Sequence, residues 1–160
     1  MVLKLTQQQQ QQLYRHAENT YPEECCGILL GRFQPEGETT VVEVWETENA
    51  WERESKLFES VCPEAADGSL SKRNRFTIDP AVLLKAQKYA RTENLNIVGI
   101  YHSHPDHPCD PSTFDRAIAW ETYSYVILSV QQGKVVDCRS WTLNQQQELQ
   151  EERIITEGCD

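Results

Sequence analysis

The sequence predicts a layered fold of the α/β or α+β class, and three observations carry that expectation. Runs rich in β-branched residues recur with the two-residue period of strands, as in TTVVEVWETENA at 39–50 and YSYVILSV at 123–130. Segments with apolar residues at helical spacing lie among them, as in IDPAVLLKAQKYARTEN at 78–94. Strands and helices interleave along the chain without any internal repeat, the pattern of a sheet covered by helices.

The elements follow in order. Residues 6–19 form an amphipathic helix, because Leu13, His16 and Ala17 continue the helical spacing beyond the glutamine run Gln7 to Gln12, which reads as a solvated face. Asn19 to Pro22 break that helix, and CGILLGRF at 26–33 reads as a short buried strand. A QPEGE turn leads into the strand at 39–50. From Trp51 to Arg75 no period is sustained, so 51–75 is read as an insertion with at most one helical turn.

Asp79 as N-cap and Pro80 in the first turn start the next helix, with apolar residues at 82, 83, 86 and 89 or 90. LNIVGIYHSH at 95–104 is apolar nearly throughout, as a central strand covered on both faces should be. A short helix over about 112–121 follows, then YSYVILSV, a Gln-Gln-Gly turn and KVVDCRSWTL as a hairpin. The tail NQQQELQEERIIT is polar and ends in a short strand-like piece.

The chain has 160 residues, enough for a single domain over 1–160 with a sizeable core. A net charge of -10 and a pI near 4.9 supply no basic stripe to neutralise phosphates, which excludes a nucleic-acid partner held that way. The opening MVLKLTQQQQQQ lacks the apolar core of a signal peptide, and no run approaches the length that spans a bilayer. The expectation is a cytoplasmic protein, with no membrane partner and with its six cysteines reduced.

Three of the four histidines stand within six positions, in GIYHSHPDHPCDPSTFDRAI at 99–118. His102 and His104 are two apart at a strand end, so both project from one face and can converge on one ion. Asp115 falls in the first turn of the following helix, within reach of that strand end. Two histidines and a carboxylate leave a fourth tetrahedral position open, the arrangement of a catalytic rather than a structural zinc site. Taken singly, each piece has an ordinary reading: Ser112 with Asp115 also fits a capping box, and His-x-His alone is a weak signal. Their conjunction on a proline-stiffened connection points to a metal. His107 reads as a rim residue, and Cys109 would close the site if it joined the set.

His102-Ser103-His104-Pro105, six residues, then Ser112-Thr113-Phe114-Asp115 resembles the JAMM motif of the MPN-plus (Mov34/MPN/PAD-1) zinc metalloproteases. YPEECCGILLG at 21–31 resembles the prokaryotic form of that family's upstream segment, Pro-x-Glu-x-Cys-Gly, and RFTIDP at 75–80 is similar to the segment before its histidine strand. The likeness runs from about Glu18 to Ser140, and the stretch 51–75 departs from it by its length.

The resemblance implies an MPN/JAMM domain: a central mixed β-sheet flanked by helices, with an architecture like that of the cytidine deaminases. It implies Zn²⁺ held by His102, His104 and Asp115, Glu24 as general base and then general acid, and Ser112 stabilising the oxyanion, with Glu23 facing solvent. Capping and oxyanion stabilisation would compete for the Ser112 hydroxyl.

The implied substrate is a ubiquitin-like or sulfur-carrier protein with a Gly-Gly C-terminus, whose narrow tail would add as a strand beside a sheet edge. Trp51 and Phe58 are candidate substrate contacts. A non-catalytic MPN scaffold or protein-binding module would lack one or more of the ligands, whereas all are kept here. A zinc deaminase would need Cys-x-x-Cys and a glutamate where Ser103 stands. A DNA-repair relative fits the acidic charge poorly.

Overall fold

The computed structural model describes residues 1–54 and 70–158. Their elements are β1 (Val2–Thr6), α1 (Gln7–Thr20), β2 (Cys26–Gln34), a 3₁₀ turn, β3 (Glu38–Thr47), α2 (Trp51–Glu54), α3 (Pro80–Thr92), β4 (Asn96–Pro105), α4 (Thr113–Ile118), β5 (Ser124–Gln131), β6 (Lys134–Leu143) and β7 (Leu149–Glu157).

The sheet is mixed, as expected, but it closes on itself in the order β1-β3-β2-β4-β5-β6-β7 instead of lying open as a layer. Closure depends on β1, a strand to which the sequence reading assigned no element. VLKLT alternates, with Leu3 and Leu5 buried inward, and β1 runs parallel to both β3 and β7. Each leucine contributes roughly 1.5–3 kcal/mol by burial. The polar tail forms nine-residue β7, far more than a short piece, because it has β6 on one side and β1 on the other.

Thr6 caps α1, its hydroxyl accepting from Gln9 N while Gln9 Oε1 accepts from Thr6 N. Leu13 and Ala17 are buried among Leu5, Leu29 and Val98. The glutamine run is more than a solvated face. Gln9 Nε2 donates to the carbonyls of Val41 and Val42, and Gln12 Nε2 to that of Val44, so α1 satisfies β3 where β1 no longer pairs with it.

Strand β4 lies between β2, antiparallel, and β5, parallel, and all but its first residue are buried. Its alternation, shifted by a bulge at Val98 between the Ile97–Leu30 and Gly99–Leu29 pairs, divides the core. Val98 and Tyr101 pack with α1, whereas Ile97 and Ile100 pack under α3 with Ala86, Ala90 and Phe76. His102 and His104 continue the Ile100 face, so the α3 side of the sheet carries the imidazoles. Gly99 is required where β4 meets β5, because a Cβ there would strike the backbone carbonyl of Ser124.

Asp79 caps α3 through Ala81 N, as the sequence indicates. Helix α4 is shorter than expected and ends at Ile118, leaving Trp120 largely exposed. No helix among the described residues is long and apolar enough to cross a membrane.

Candidate metal centre

His102 and His104 leave the C-terminal end of β4, and Asp115 stands at the third position of α4. All three are buried. His102 Nε2 lies 3.2 Å from His104 Nε2 and 3.2 Å from Asp115 Oδ1, and His104 Nε2 lies 3.1 Å from Asp115 Oδ2. They are the group of potential ligands among the described residues whose donor atoms converge.

Three features test whether this set fits a tetrahedral metal ion. In a shell with bonds of about 2.0–2.1 Å, donor atoms stand about 3.3 Å apart, close to the observed triangle. His104 Nδ1 donates to the Pro108 carbonyl at 2.8 Å, which leaves the Nε2 lone pair facing the centre. Phe76 stacks on His102 with centroids 4.3 Å apart and fixes the plane of that ring. The donors therefore fit a three-ligand site with an open position, and the set of two imidazoles and one carboxylate suits zinc.

Electrostatics agree with mutual stabilisation. Burial pulls His102 below the usual imidazole range, against the pull of the Asp115 carboxylate. At His104 burial acts the same way, but the hydrogen bond and charge of Asp115 outweigh it and raise the imidazole. Burial opposes ionisation of Asp115, yet the two histidines hold its carboxyl well below the usual range.

Ser112 and Asp115 form the capping box read from the sequence: Asp115 N donates to Ser112 Oγ at 3.0 Å, and Ser112 N to Asp115 Oδ2 at 2.9 Å. The expected competition for the Ser112 hydroxyl does not arise. Capping occupies a lone pair of the oxygen and leaves the O–H proton free to donate elsewhere.

Glu24 is buried and lines a cavity of about 290 Å³ together with Asn74, Arg75, His104, His107 and Ser112. Burial, reinforced by the charge of Asp115 and opposed by that of Arg75, pushes its carboxyl well above the usual range. Glu23 is half-buried beside it.

Asn49, which the sequence reading passed over, holds this part of the site in place. Its Nδ2 donates to the carbonyls of Glu24 (3.1 Å) and Arg75 (2.9 Å), and its Oδ1 accepts from Trp51 N and Thr77 N. No period or spacing marks it, since it sits where the strand pattern of 39–50 fades. Trp141 was missed likewise: its indole donates to the Cys109 carbonyl and pins the loop whose Pro108 holds His104.

His107 is exposed at the cavity rim, as expected. Cys109 is buried away from the ligand triangle, near Asp137 and Arg139, and burial pushes its thiol up to about 12. Cys25 and Cys26 are buried too, with thiols raised to about 12 for the same reason.

Trp51 is no surface contact: only 2% exposed, it meets Phe114 edge to face at 5.4 Å. Phe58 lies outside the described residues, as does most of the expected insertion. Among the described residues the strand order closes, and β1 pairs with β3 only over Glu38 to Thr40, so edge backbone is confined to stretches such as the rest of β3, part of which the glutamines of α1 satisfy.

Comparison with known proteins agrees with this geometry. Residues 6–144 match the family model of prokaryotic homologues of the JAB domain. The chain is 33% identical over 82 residues to a desampylase of Pyrococcus furiosus, a match covering 51% of this chain and 56% of that protein. It is 44% identical over 52 residues to a probable TtuB-protein conjugate cleaving protease of Thermus thermophilus, covering 32% of this chain and 35% of that one. The chain thus spans about half the length of the first relative and about a third of the second.

Among solved structures, a protein of Desulfitobacterium hafniense superposes with a TM-score of 0.74 at 27% identity, over 99% of this chain and 94% of its own. One of Salinibacter ruber gives 0.65 at 28%, over 98% and 91%. With its ligand triangle, its capped Asp115 and a family match spanning most of its length, the chain belongs to the prokaryotic JAB-domain family.

Proposed function

We propose that the protein is a zinc-dependent metallopeptidase or isopeptidase that cleaves after the Gly-Gly tail of a ubiquitin-like or sulfur-carrier protein. The observation that carries this reading is the buried triangle of His102, His104 and Asp115, whose His104 lines a cavity together with Glu24 and Ser112. The names of the two relatives, a desampylase and a probable TtuB-protein conjugate cleaving protease, support the substrate class.

His102 Nε2, His104 Nε2 and Asp115 would hold the ion. Zinc at that position would supply Lewis acidity to the scissile carbonyl and to a water. Glu24 takes the proton of the attacking water on its carboxylate and returns it to the departing amine. Burial favours the protonated form of this carboxyl, which suits a group that takes up a proton during the reaction. Ser112 directs its free O–H at the developing oxyanion while its lone pair caps α4. The cavity between the 71–75 turn and the 107–112 loop, which Glu24, His104 and Ser112 line, is the place this reading gives the end of the tail.

The test is zinc content by elemental analysis of wild type and His104→Ala, with cleavage of a Gly-Gly-tailed carrier fusion measured on the same samples. About one zinc per chain, lost together with cleavage in the variant, is the expected result. Zinc without cleavage, or equal cleavage of tails ending in bulky residues, overturns the assignment of substrate. A protein that takes up no zinc overturns the catalytic reading.

A further inference from the structure

Arg75 brings a guanidinium to the cavity that Glu24, His104 and Ser112 line. Of its five N–H donors, one is engaged among the described residues: Nη1 donates to the Asn74 carbonyl at 2.6 Å. Nε is buried and has no acceptor. The guanidinium stands 5.3 Å from the centre of the Phe114 ring, a contact that fixes its position without consuming a donor. A buried N–H left without an acceptor costs free energy and is uncommon in native proteins, so its persistence beside a site needs a reason.

The segment that carries Arg75 is held firmly. Arg75 N donates to the Ser71 carbonyl, Asn49 Nδ2 donates to the Arg75 carbonyl, and Glu24 N donates to the Lys72 carbonyl at 2.6 Å. The turn is therefore coupled to Glu24. It also concentrates Lys72, Arg73 and Arg75 in four positions of a chain whose net charge is -10.

We propose that Arg75 is a substrate-contacting specificity residue, whose guanidinium receives a main-chain carbonyl oxygen of the bound tail and, after cleavage, an oxygen of the new C-terminal carboxylate. The inference rests on the hydrolase reading above. In that hydrolysis the water oxygen bonds to the acyl carbon and the C–N bond breaks. The amine leaves with a proton, and the acyl product departs as a carboxylate. Negative charge thus appears on the tail only after the cut, and a planar arginine fork matches a carboxylate with two parallel hydrogen bonds. Arg75 consequently makes the enzyme hold its acyl product more tightly than the same tail with an uncharged end.

The experiment titrates zinc-loaded wild type, Arg75→Gln and Arg75→Lys with a synthetic pentapeptide ending in Gly-Gly carboxylate and with its C-terminal amide, by calorimetry. Wild type is expected to prefer the acid by about tenfold, the scale of one charge-assisted hydrogen bond. Arg75→Gln should reduce the wild-type preference by about fivefold or more, and Arg75→Lys should reduce it less but still measurably, because it keeps the charge and lacks the fork. Any contribution of zinc to the preference is common to all three proteins and cancels in the comparison.

An acid preference unchanged in Arg75→Gln, or absent from wild type, overturns the inference. If thermal melting shows Arg75→Gln unfolded, the folded Arg75→Lys variant decides, and an undiminished preference there overturns it equally. The readout is binding, so failure of wild type to cleave any Gly-Gly fusion strikes the hydrolase reading and leaves the result on Arg75 separately legible.

Discussion

Asp115 Oδ2 faces His104 Nε2 at 3.1 Å and accepts the backbone N–H of Ser112 at 2.9 Å. The oxygen that faces His104 thus also accepts the N-cap amide of the helix that carries it, while Oδ1 faces His102, so the carboxylate is aimed by its own local fold.

Ser112→Ala separates the two uses of the serine. Loss of the cap costs about 0.5–2 kcal/mol of stability. Loss of the free O–H should lower kcat by about 10²–10³ if it meets the oxyanion. Zinc content should stay near wild type, because the Ser112 backbone N–H still holds Asp115. Calorimetric melting, elemental analysis and kcat on one preparation check all three, and an unchanged kcat would remove Ser112 from the chemistry.

Asn49→Leu breaks four hydrogen bonds at once, those to the Glu24 and Arg75 carbonyls and those from Trp51 N and Thr77 N. The expected loss is on the order of 3 kcal/mol, since buried partners are left unsatisfied. Below its melting temperature the variant should still bind zinc, yet turn over slowly because Glu24 is no longer held in register. Retained kcat in a folded Asn49→Leu protein would show that Glu24 needs no such support.

His16 sets a pH dependence of stability. It lies between Tyr101, whose hydroxyl is 2.7 Å from Nδ1, and Glu46, and burial pulls its pKa below the ordinary value, partly opposed by Glu46. Above pH about 6.5 the residue is neutral in both states and contributes nothing to the slope. As pH falls below that value the unfolded chain takes up a proton that the folded chain resists, so stability declines. Urea midpoints at pH 7.5 and 5.5 should fall further for wild type than for His16→Gln, and equal declines would contradict this account.

Trp51→Ala tests the reassignment of Trp51 from surface contact to core. Removing a fully packed indole from its edge-to-face contact with Phe114 should cost about 3–5 kcal/mol in chemical denaturation. A cost below about 1 kcal/mol would return the residue to the surface role.

What the sequence made legible was local. Helix starts at Asp79 and Ser112 and the alternation through His102 and His104 follow from rules that act within a few residues, and each stands where those rules put it. What it hid was long-range. Leu3 and Leu5 alternate over too few residues to announce a strand, and only the partners at β3 and β7 make them one. Asn49 and Trp141 act through backbone carbonyls distant in sequence, a role that any amide or indole could fill without leaving a pattern. Arg75 and Phe76 stood inside a recognised segment, RFTIDP, yet their contacts with Phe114 and His102 needed the fold to appear.

The pairing of Lys4 with Ile155 joins residues far apart in the sequence, and it bears on how the protein comes to be folded. Contacts of such sequence separation carry the largest loop-closure entropy and form late. During synthesis β1 meets β3 early but must wait for β7 to emerge, and until then β6 presents an unpaired edge. The nascent chain is most exposed to mispairing with its neighbours in that interval, and the pairing of β7 with β6 and β1 ends it.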